Sequence, residues 1–474
     1  MAYTIPLLIN GEEKISSTTF PVDSPLSHTT IWSCSSASLD DADAAVAAAS
    51  AAFPAWSKTK PAQRRNILLK AADLLEQRAE ELKLHMQQET GSGEMFAGFN
   101  IGTTAEHIRD TAGRISAITG SIPVCQDEGT SALVLKEPYG VVLAIAPWNA
   151  PYILGVRSVL FPLAAGNTCV LKGSELSPRC FHHIGRIFTD AGLPPGALNI
   201  IYSARADSPA LTTQLINAPP IKKINFTGST AIGSVIASLA GKALKPCLME
   251  LGGKAAAIVL DDADLEHAAM QCTLGAFVHA GQVCMSTERI LVHAAVLDAF
   301  RPALQAAVAQ FAPPGGPACV LAQSAGVARN RALVADALGK GASLLHGDPA
   351  AEEAHATALR PMVVEGVTRD MKLYAEESFG PSVSVIAVKD EDEAVAIANE
   401  SDYGLNSAIF TRDLARGLRV AKRLECGSIH INAMSVHDEA NLPHGGVKSS
   451  GWGRFNGQWG LEEFVRIKTV TFKE

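Results

Sequence analysis

The segment Ile224-Asn-Phe-Thr-Gly-Ser-Thr-Ala-Ile-Gly233 joins an apolar run to a Gly/Ser/Thr turn and then to a helical pattern. A strand that enters such a turn before a helix presents free backbone N–H groups to an anion. The spacing from Gly228 to Gly233 lacks the lysine of a P-loop and is not G-x-G-x-x-G. The segment predicts a strand–turn–helix unit, and either a nucleotide site or an ordinary capped turn remains open at this point.

Similar apolar runs alternate with helical stretches on both sides of this segment. Short, almost continuous apolar strands separated by helices predict a parallel sheet covered on both faces. The runs of a first series are Val141–Ala146, Thr168–Lys172, Leu198–Tyr202, Lys223–Phe226 and Ala256–Leu260. The runs of a second series are Arg289–His293, Ser382–Val388, Ser407–Phe410 and Gly427–Ile431. We therefore predict two α/β units that meet near Gly252, where a ligand would bind.

The remaining segments predict helices and a β arm. Apolar residues at helical spacing over 40–53 and 61–89 predict helices that start after Ser38 and Thr59. Between 121 and 138 the pattern becomes β-like and predicts a flap in which 122–124 pairs with 132–136. An exposed two-stranded flap needs a cover, so we interpret it as an oligomerisation arm.

Composition excludes several classes of partner. The 474 residues include 48 acidic and 40 basic side chains, for a formal net charge of −8, whereas nucleic-acid binding needs a basic face. We find no apolar run of the ~18 residues that cross a bilayer and no signal-peptide pattern. The nine cysteines form no C-x-x-C pair, and an odd count fits a reducing compartment. We expect a cytoplasmic protein with neither nucleic-acid nor membrane partners.

Three further segments place chemical groups at predicted strand ends. Lys172 and Glu175 close one strand, where a carboxylate can accept both hydroxyls of a ribose and repels a 2′-phosphate; an ordinary solvated loop is the alternative. Cys284 follows Gly281, Glu250 ends a strand before a glycine pair, and Asn149 follows another strand. A thiol, a base and an amide donor are the groups that acyl-thioester chemistry needs.

One cluster resembles a metal-ligand set. His437, Asp438 and Glu439 lie close in sequence to His444, but none of the zinc spacings is present. We therefore expect no metal.

Seven motifs in register resemble the aldehyde dehydrogenase superfamily over nearly the whole chain. They are Ala146-Pro-Trp-Asn149, Leu171-Lys-Gly-Ser-Glu175, Phe226-Thr-Gly-Ser-Thr-Ala-Ile-Gly233, Glu250-Leu-Gly-Gly-Lys254, Gly281-Gln-Val-Cys284, Glu376-Glu-Ser-Phe-Gly-Pro381 and Pro443-His-Gly-Gly-Val-Lys-Ser-Ser-Gly451. The resemblance implies an α/β fold with a Rossmann-like parallel-sheet cofactor domain, an α/β catalytic domain and a β-strand oligomerisation arm. We assign these to 1–120 with 139–252, to 253–447, and to 121–138 with 448–474, and expect a homodimer or homotetramer.

The resemblance also implies the mechanism. Cys284 would be the nucleophile, Asn149 and the Cys284 backbone N–H the oxyanion hole, and Glu250 the base that activates water for thioester hydrolysis. The cofactor would be NAD, with NADP possible because Gly173-Ser174 replaces a common proline–alanine pair. The residues that would bind it are Trp148, Lys172, Glu175, Thr227, Gly228, Ser229, Gly233, Leu251, Gly252, Glu377 and Phe379.

The substrate is predicted from the residues after Asn149. Ala150 replaces a bulky aromatic residue and leaves room for a ring, and Arg157 either reaches a phenolic oxygen or pairs with a structural carboxylate. These features resemble the branch acting on aromatic aldehydes such as salicylaldehyde, vanillin or benzaldehyde. The alternatives are an aliphatic or semialdehyde substrate, acyl transfer to CoA or phosphate, and a non-catalytic structural protein on the same fold.

Overall fold

The computed structural model describes residues 3–313 and 315–473. Its main features are two large, mostly parallel sheets, each covered by helices. The first sheet has the spatial order Gly451–Trp452, Cys247–Glu250, Ile221–Thr227, Val141–Ile145, Thr168–Lys172, Leu198–Ile201, Leu7–Ile9 and Glu12–Lys14. The second has the order Ser343–His346, Met362–Glu365, Ser382–Val388, Thr287–His293, Ala255–Val259, Asn406–Phe410 and Ser428–Ile431.

The smaller sheets lie around these two. A three-stranded sheet has the order Thr4–Ile5, Thr30–Ser35 and Thr19–Asp23, and the two-stranded pairs are Cys319–Val320 with Ala358–Leu359, Tyr403–Gly404 with Val447–Lys448, and Thr130–Pro138 with Val465–Lys473.

Helices cover the sheets because their apolar faces need burial. Val141–Ile145 and the helix Pro151–Ala164 are buried along their whole lengths, so the centre of the first sheet is covered. The α-helices are Leu39–Trp56, Pro61–Gln77, Ala79–Thr90, Glu94–Arg114, Pro151–Ala164, Pro178–Ala191, Ser208–Asn217, Thr230–Lys242, Leu265–Phe277, Ala294–Phe311, Ser324–Gly339, Lys372–Ala375, Glu391–Asn399, Leu414–Ala421 and Gly457–Glu462. The 3-10 helices are Ile115–Ala117 and Val278–Gly281. Within 3–313 and 315–473, no helix is both long and apolar enough to cross a membrane.

The predicted α/β class and all nine predicted strands are confirmed, with small shifts in their bounds. The strand Ala255–Val259, whose run we placed in the first series, lies in the second sheet instead. Two local predictions were wrong. The stretch 61–89 forms two helices that meet at Arg78, and the first begins at Pro61 after Lys60 rather than after Thr59. The proposed domain boundaries remain a prediction; the change from the first sheet to the second falls between Glu250 and Ala255.

The arm differs from the predicted flap. Thr130–Pro138 pairs over nine residues with Val465–Lys473, whereas Ser121 and Val124 contribute isolated bridges. A nine-residue antiparallel ladder satisfies far more backbone groups than a three-residue strand could, which explains why the C-terminal strand is the partner.

Candidate active site

The chemical groups predicted from the sequence meet at one edge of the first sheet. Its central strands run parallel, so their carboxyl ends lie side by side. In spatial order, these ends carry Glu250, Thr227, the segment that leads to Asn149, and Lys172. Residues up to 101 positions apart in sequence (149 to 250) are therefore brought to a single crevice, and Cys284 faces it from the segment that leads into the second sheet.

A strained turn places Cys284 beside Asn149. His279, Ala280 and Gly281 all have positive φ, at 50°, 57° and 72°, and a Cβ on Gly281 would lie 2.3 Å from the carbonyl oxygen of Gly380. The buried Asn149 Nδ2 donates to the carbonyl of Gln282 at 2.9 Å. Since an amide nitrogen has two N–H donors, the second is available for a substrate oxygen next to the thiol.

Cys284, Glu250 and His444 form a compact trio. Their Sγ, carboxylate and imidazole atoms all lie within 4.8 Å of one another, and His444 Nε2 is 3.5 Å from Glu250 Oε1. Burial, and then the nearby Glu250 carboxylate, raise the pKa of the Cys284 thiol well above its usual value. The resting thiol is therefore protonated, and it must lose this proton before its sulfur can attack. From the sequence we considered His444 only as a metal ligand and missed this position.

Glu377 lies on the opposite wall against a glycine pair. Its Oε1 accepts the N–H of Gly253 at 2.8 Å, and a Cβ on Gly252 would lie 2.6 Å from Oε2, so a side chain there would displace the carboxylate. Burial raises the pKa of Glu377 to about 7. Its carboxylate is fixed at the crevice where the predicted ribose would bind.

A buried ion pair holds the loop that carries Phe379. Lys254 Nζ lies 2.7 Å from Glu288 Oε2, while Glu288 Oε1 accepts the N–H groups of Ser378 at 2.8 Å and Phe379 at 3.2 Å. These bonds retain Phe379 at φ 48°, with its ring edge-on to Trp148 at 6.0 Å. The positioning role of Glu288 was missed, since nothing around it in sequence marks it.

The strand–turn–helix unit has the features of an anion site. Thr227 ends its strand, Gly228 N–H donates to the Glu250 carbonyl, and Ser229 caps the helix Thr230–Lys242 by accepting from Ile232 N–H. A Cβ on Gly233 would lie 2.4 Å from the Leu251 side chain. A glycine at this position therefore lets the helix pack closely against Leu251. The remaining backbone N–H groups of the first helical turn fit a pyrophosphate.

The neighbouring strand end supplies a cation. Lys172 is buried, and burial lowers its pKa while the Glu175 carboxylate opposes that change. Lys172 lies at the same sheet edge as the helix N-terminus. The role of Lys172 and Glu175 toward an adenosine ribose remains a prediction. The residues at this edge fit a dinucleotide.

Arg157 points toward a protein carboxylate. Its buried Nη1 lies 3.0 Å from Asp438 Oδ2, its guanidinium covers the Phe455 ring at 5.0 Å, and Asn456 donates to Asp438 Oδ1 at 2.8 Å. Burial opposes ionisation of the Asp438 carboxyl group, but the nearby Arg157 charge outweighs it, and the pKa of Asp438 is lowered to about 2. The structure favours the structural-carboxylate alternative for Arg157. Ala150 is buried directly beside Asn149, where we expected it.

Residues 12–470 match the model of the aldehyde dehydrogenase family. The chain belongs to this family, and it is an NAD(P)-dependent aldehyde dehydrogenase that acts on small-molecule aldehydes.

The chain is also similar to individual members of this family. A vanillin dehydrogenase of Pseudomonas fluorescens is 44% identical over 99% of this chain and 98% of its own length. A crystal structure of a salicylaldehyde dehydrogenase from Pseudomonas putida G7, complexed with salicylaldehyde, has a TM-score of 0.96 at 38% identity and covers 99% of this chain and 98% of that one. A betaine aldehyde dehydrogenase from Staphylococcus aureus, in complex with NAD+, has a TM-score of 0.93 at 29% identity and covers 98% and 94%.

Proposed function

We propose that this aldehyde dehydrogenase oxidises aromatic aldehydes to carboxylic acids. The observation that carries the proposal is the small, buried Ala150 next to Asn149, a position where a bulky side chain would take up space that a ring needs. The similarity to a vanillin dehydrogenase and a salicylaldehyde dehydrogenase over nearly the whole chain supports the same substrate class.

In the proposed mechanism, the Cys284 thiol gives its proton to a solvent water, and the sulfur adds to the aldehyde carbon. The free N–H of the Asn149 amide and the Cys284 backbone N–H stabilise the resulting oxyanion. The nicotinamide, when bound, supplies a hydride acceptor, and a thioester on Cys284 is left. Glu250 then takes a proton from water, the hydroxide adds to the thioester carbon, and the C–S bond breaks with sulfur leaving as thiolate.

We propose that the crevice holds the dinucleotide along its whole length. Lys172 and Glu175 would bind the adenosine ribose, and the helix N-terminus at Ser229 the pyrophosphate. Thr227, Gly228, Gly233, Leu251 and Gly252 would shape the groove. Glu377 would accept the hydroxyls of the nicotinamide ribose, and Trp148 and Phe379 would border the ring.

A panel of aldehydes tests the substrate class. We expect kcat/KM for salicylaldehyde, vanillin and benzaldehyde to exceed that for propanal and succinic semialdehyde, measured from the absorbance of the reduced cofactor with NAD and NADP side by side. Ala150→Leu should lower kcat/KM for the aromatic substrates by about 10-fold or more, because added methylenes take up space for the ring. A preference for propanal would refute the aromatic assignment.

We further propose that the arm mediates a homodimer or homotetramer. The paired strands carry exposed apolar side chains: Ile467 is 70%, Phe472 45% and Leu135 37% exposed. A second chain that packs on this ribbon would bury their apolar surface. Light scattering measures the mass in solution. A monomer would refute the proposal.

We propose a cytosolic location on the basis of the thiols. All nine cysteines lie in the described residues and all are free. Disulfides form readily in oxidising compartments, so nine free thiols are typical of a reducing one.

A further inference from the structure

Two buried polar atoms in the active site face each other without a hydrogen-bond partner. Glu250 is 1% exposed and His444 is 4% exposed. Glu250 Oε1 and His444 Nε2 each lack a hydrogen bond, although they are 3.5 Å apart. A buried polar atom without a partner costs about 1–3 kcal/mol, so a proton between these two atoms would relieve both at once.

The backbone fixes His444 to the strand that carries Glu250. His444 exchanges two backbone hydrogen bonds with Phe455, at 3.1 Å and 2.8 Å. The strand Gly451–Trp452 of the same segment pairs with the strand of Glu250, and Gly451 lies opposite Glu250. Gly451 has φ 106°, and a Cβ there would lie 2.2 Å from the Met249 carbonyl. Because the two backbones approach this closely, strand pairing fixes the distance between the His444 imidazole and the Glu250 carboxylate.

The other charges near His444 are already paired. Asp438 and Arg157 form an ion pair of their own, and burial lowers the pKa of His107, which keeps that ring neutral. The Glu250 carboxylate is therefore the charged group to which the His444 imidazole can donate a hydrogen bond.

We propose that His444 is a positioning residue for Glu250. This inference rests on the proposed role of Glu250 as the base in thioester hydrolysis. The His444 Nε2–H donates to Glu250 Oε1 and fixes the rotation of the carboxylate. The second oxygen, Oε2, is then directed at the water whose proton it takes when hydroxide adds to the Cys284 thioester. Formation of the thioester does not require this orientation, so the two half-reactions should respond differently to loss of the imidazole.

The test is stopped-flow measurement of reduced cofactor in the full-length enzyme with NAD and benzaldehyde, a substrate of the proposed class. A general base contributes about 10²–10⁴-fold, so we expect His444→Phe to lower the steady-state kcat by about 10-fold or more. The first turnover should remain within about 3-fold of that of the unmodified protein, so a burst of one reduced cofactor per site precedes the slow phase. His444→Gln, whose amide N–H can occupy the position of Nε2–H, should restore most of the kcat.

Three controls make the result decisive. His444→Asn keeps a polar side chain that is too short to reach Glu250, so it must behave like His444→Phe even if the phenyl group destabilises the fold. His355→Phe changes an exposed histidine and should leave both phases unaltered. If His444→Phe and His444→Asn slow both phases equally, or slow neither, the positioning role is wrong. If Glu250→Gln fails to slow thioester hydrolysis, the proposed role of Glu250 is wrong instead.

Discussion

Two buried polar clusters flank the aldehyde site, and they differ in how their carboxylates are paired. In the cluster of Arg157, Asp438 and Asn456, both carboxylate oxygens have partners within 3.0 Å. In the trio of Cys284, Glu250 and His444, a carboxylate oxygen and a ring nitrogen face each other unpartnered, and the thiol is held protonated. The first arrangement stabilises the wall of the pocket, whereas the second leaves reactive groups free for a substrate.

The contrast shows that a buried charge alone does not identify a functional group. In the sequence, Arg157 is an isolated cation among apolar residues. In the structure it pairs with Asp438, which lies 281 positions away. Removal of Arg157 should therefore lower mainly the stability of the protein. Removal of a group in the trio should lower mainly the rate of the reaction.

The largest effect is expected from Cys284→Ser. Loss of the nucleophile in covalent catalysis removes about 10⁴-fold or more of the rate, while the free energy of unfolding should change little because the volume is conserved. Turnover assays and urea denaturation measure the two quantities. Cys125→Ser is the matched control and should retain activity. Full activity in Cys284→Ser would contradict the mechanism.

Arg157→Met should affect stability most. It leaves the Asp438 carboxylate buried without its cation, and breaking one half of a buried ion pair costs about 3–5 kcal/mol. Urea denaturation should show this loss, and the double variant with Asp438→Asn should recover much of it. A stable Arg157→Met variant with a KM raised for salicylaldehyde but not for benzaldehyde would instead support contact with the phenolic oxygen.

Asn149→Ala should lower kcat by about 10²–10³-fold, the usual cost of losing one oxyanion-hole donor. The KM for the cofactor should stay the same, since the amide is directed at the thiol and not at the dinucleotide groove. Asn149→Asp keeps the shape but replaces the donor with an acceptor, so it should be at least as slow. If Asn149→Asp is active, the amide does not stabilise the oxyanion.

The smallest effect is expected from the pH dependence of cofactor binding. Burial raises the pKa of Glu377 to about 7, so its carboxyl group becomes ionised as the pH rises through neutrality. Only the ionised form accepts from both ribose hydroxyls, and the KM for NAD should therefore fall by a few-fold between about pH 6 and about pH 8. Glu377→Gln should remove this dependence. A KM that rises with pH in the unmodified protein would refute the role of Glu377.

Local sequence predicted the sheets well for a physical reason. Strands such as Thr168–Lys172 and Ser382–Val388 are buried on both faces, so their composition alone distinguishes them from helices and loops. The break between two helices at Arg78 was missed because no proline or glycine marks it. The arm was assigned to the wrong partner because its true partner is more than 300 residues away, and pairing at that distance leaves no local pattern.

The site was predictable where a motif carries its own chemistry. Cys284, Glu250 and Asn149 are recognisable from short segments, and the fold brings them to one crevice. The contacts of His444 with Glu250 and of Glu288 with the Phe379 loop depend on which strands become neighbours, and that information is spread over the chain. Residues that position other residues are for this reason harder to find than those that react.

The strand Gly451–Trp452 covers the open edge next to Glu250, and it comes about 200 residues later in synthesis. A ribosome therefore makes the nucleotide-binding strands and the reactive thiol well before the segment that completes their surroundings. We expect a nascent chain that stops short of residue 443 to lack sustained turnover, because the segment that orients Glu250 for thioester hydrolysis has not yet been made.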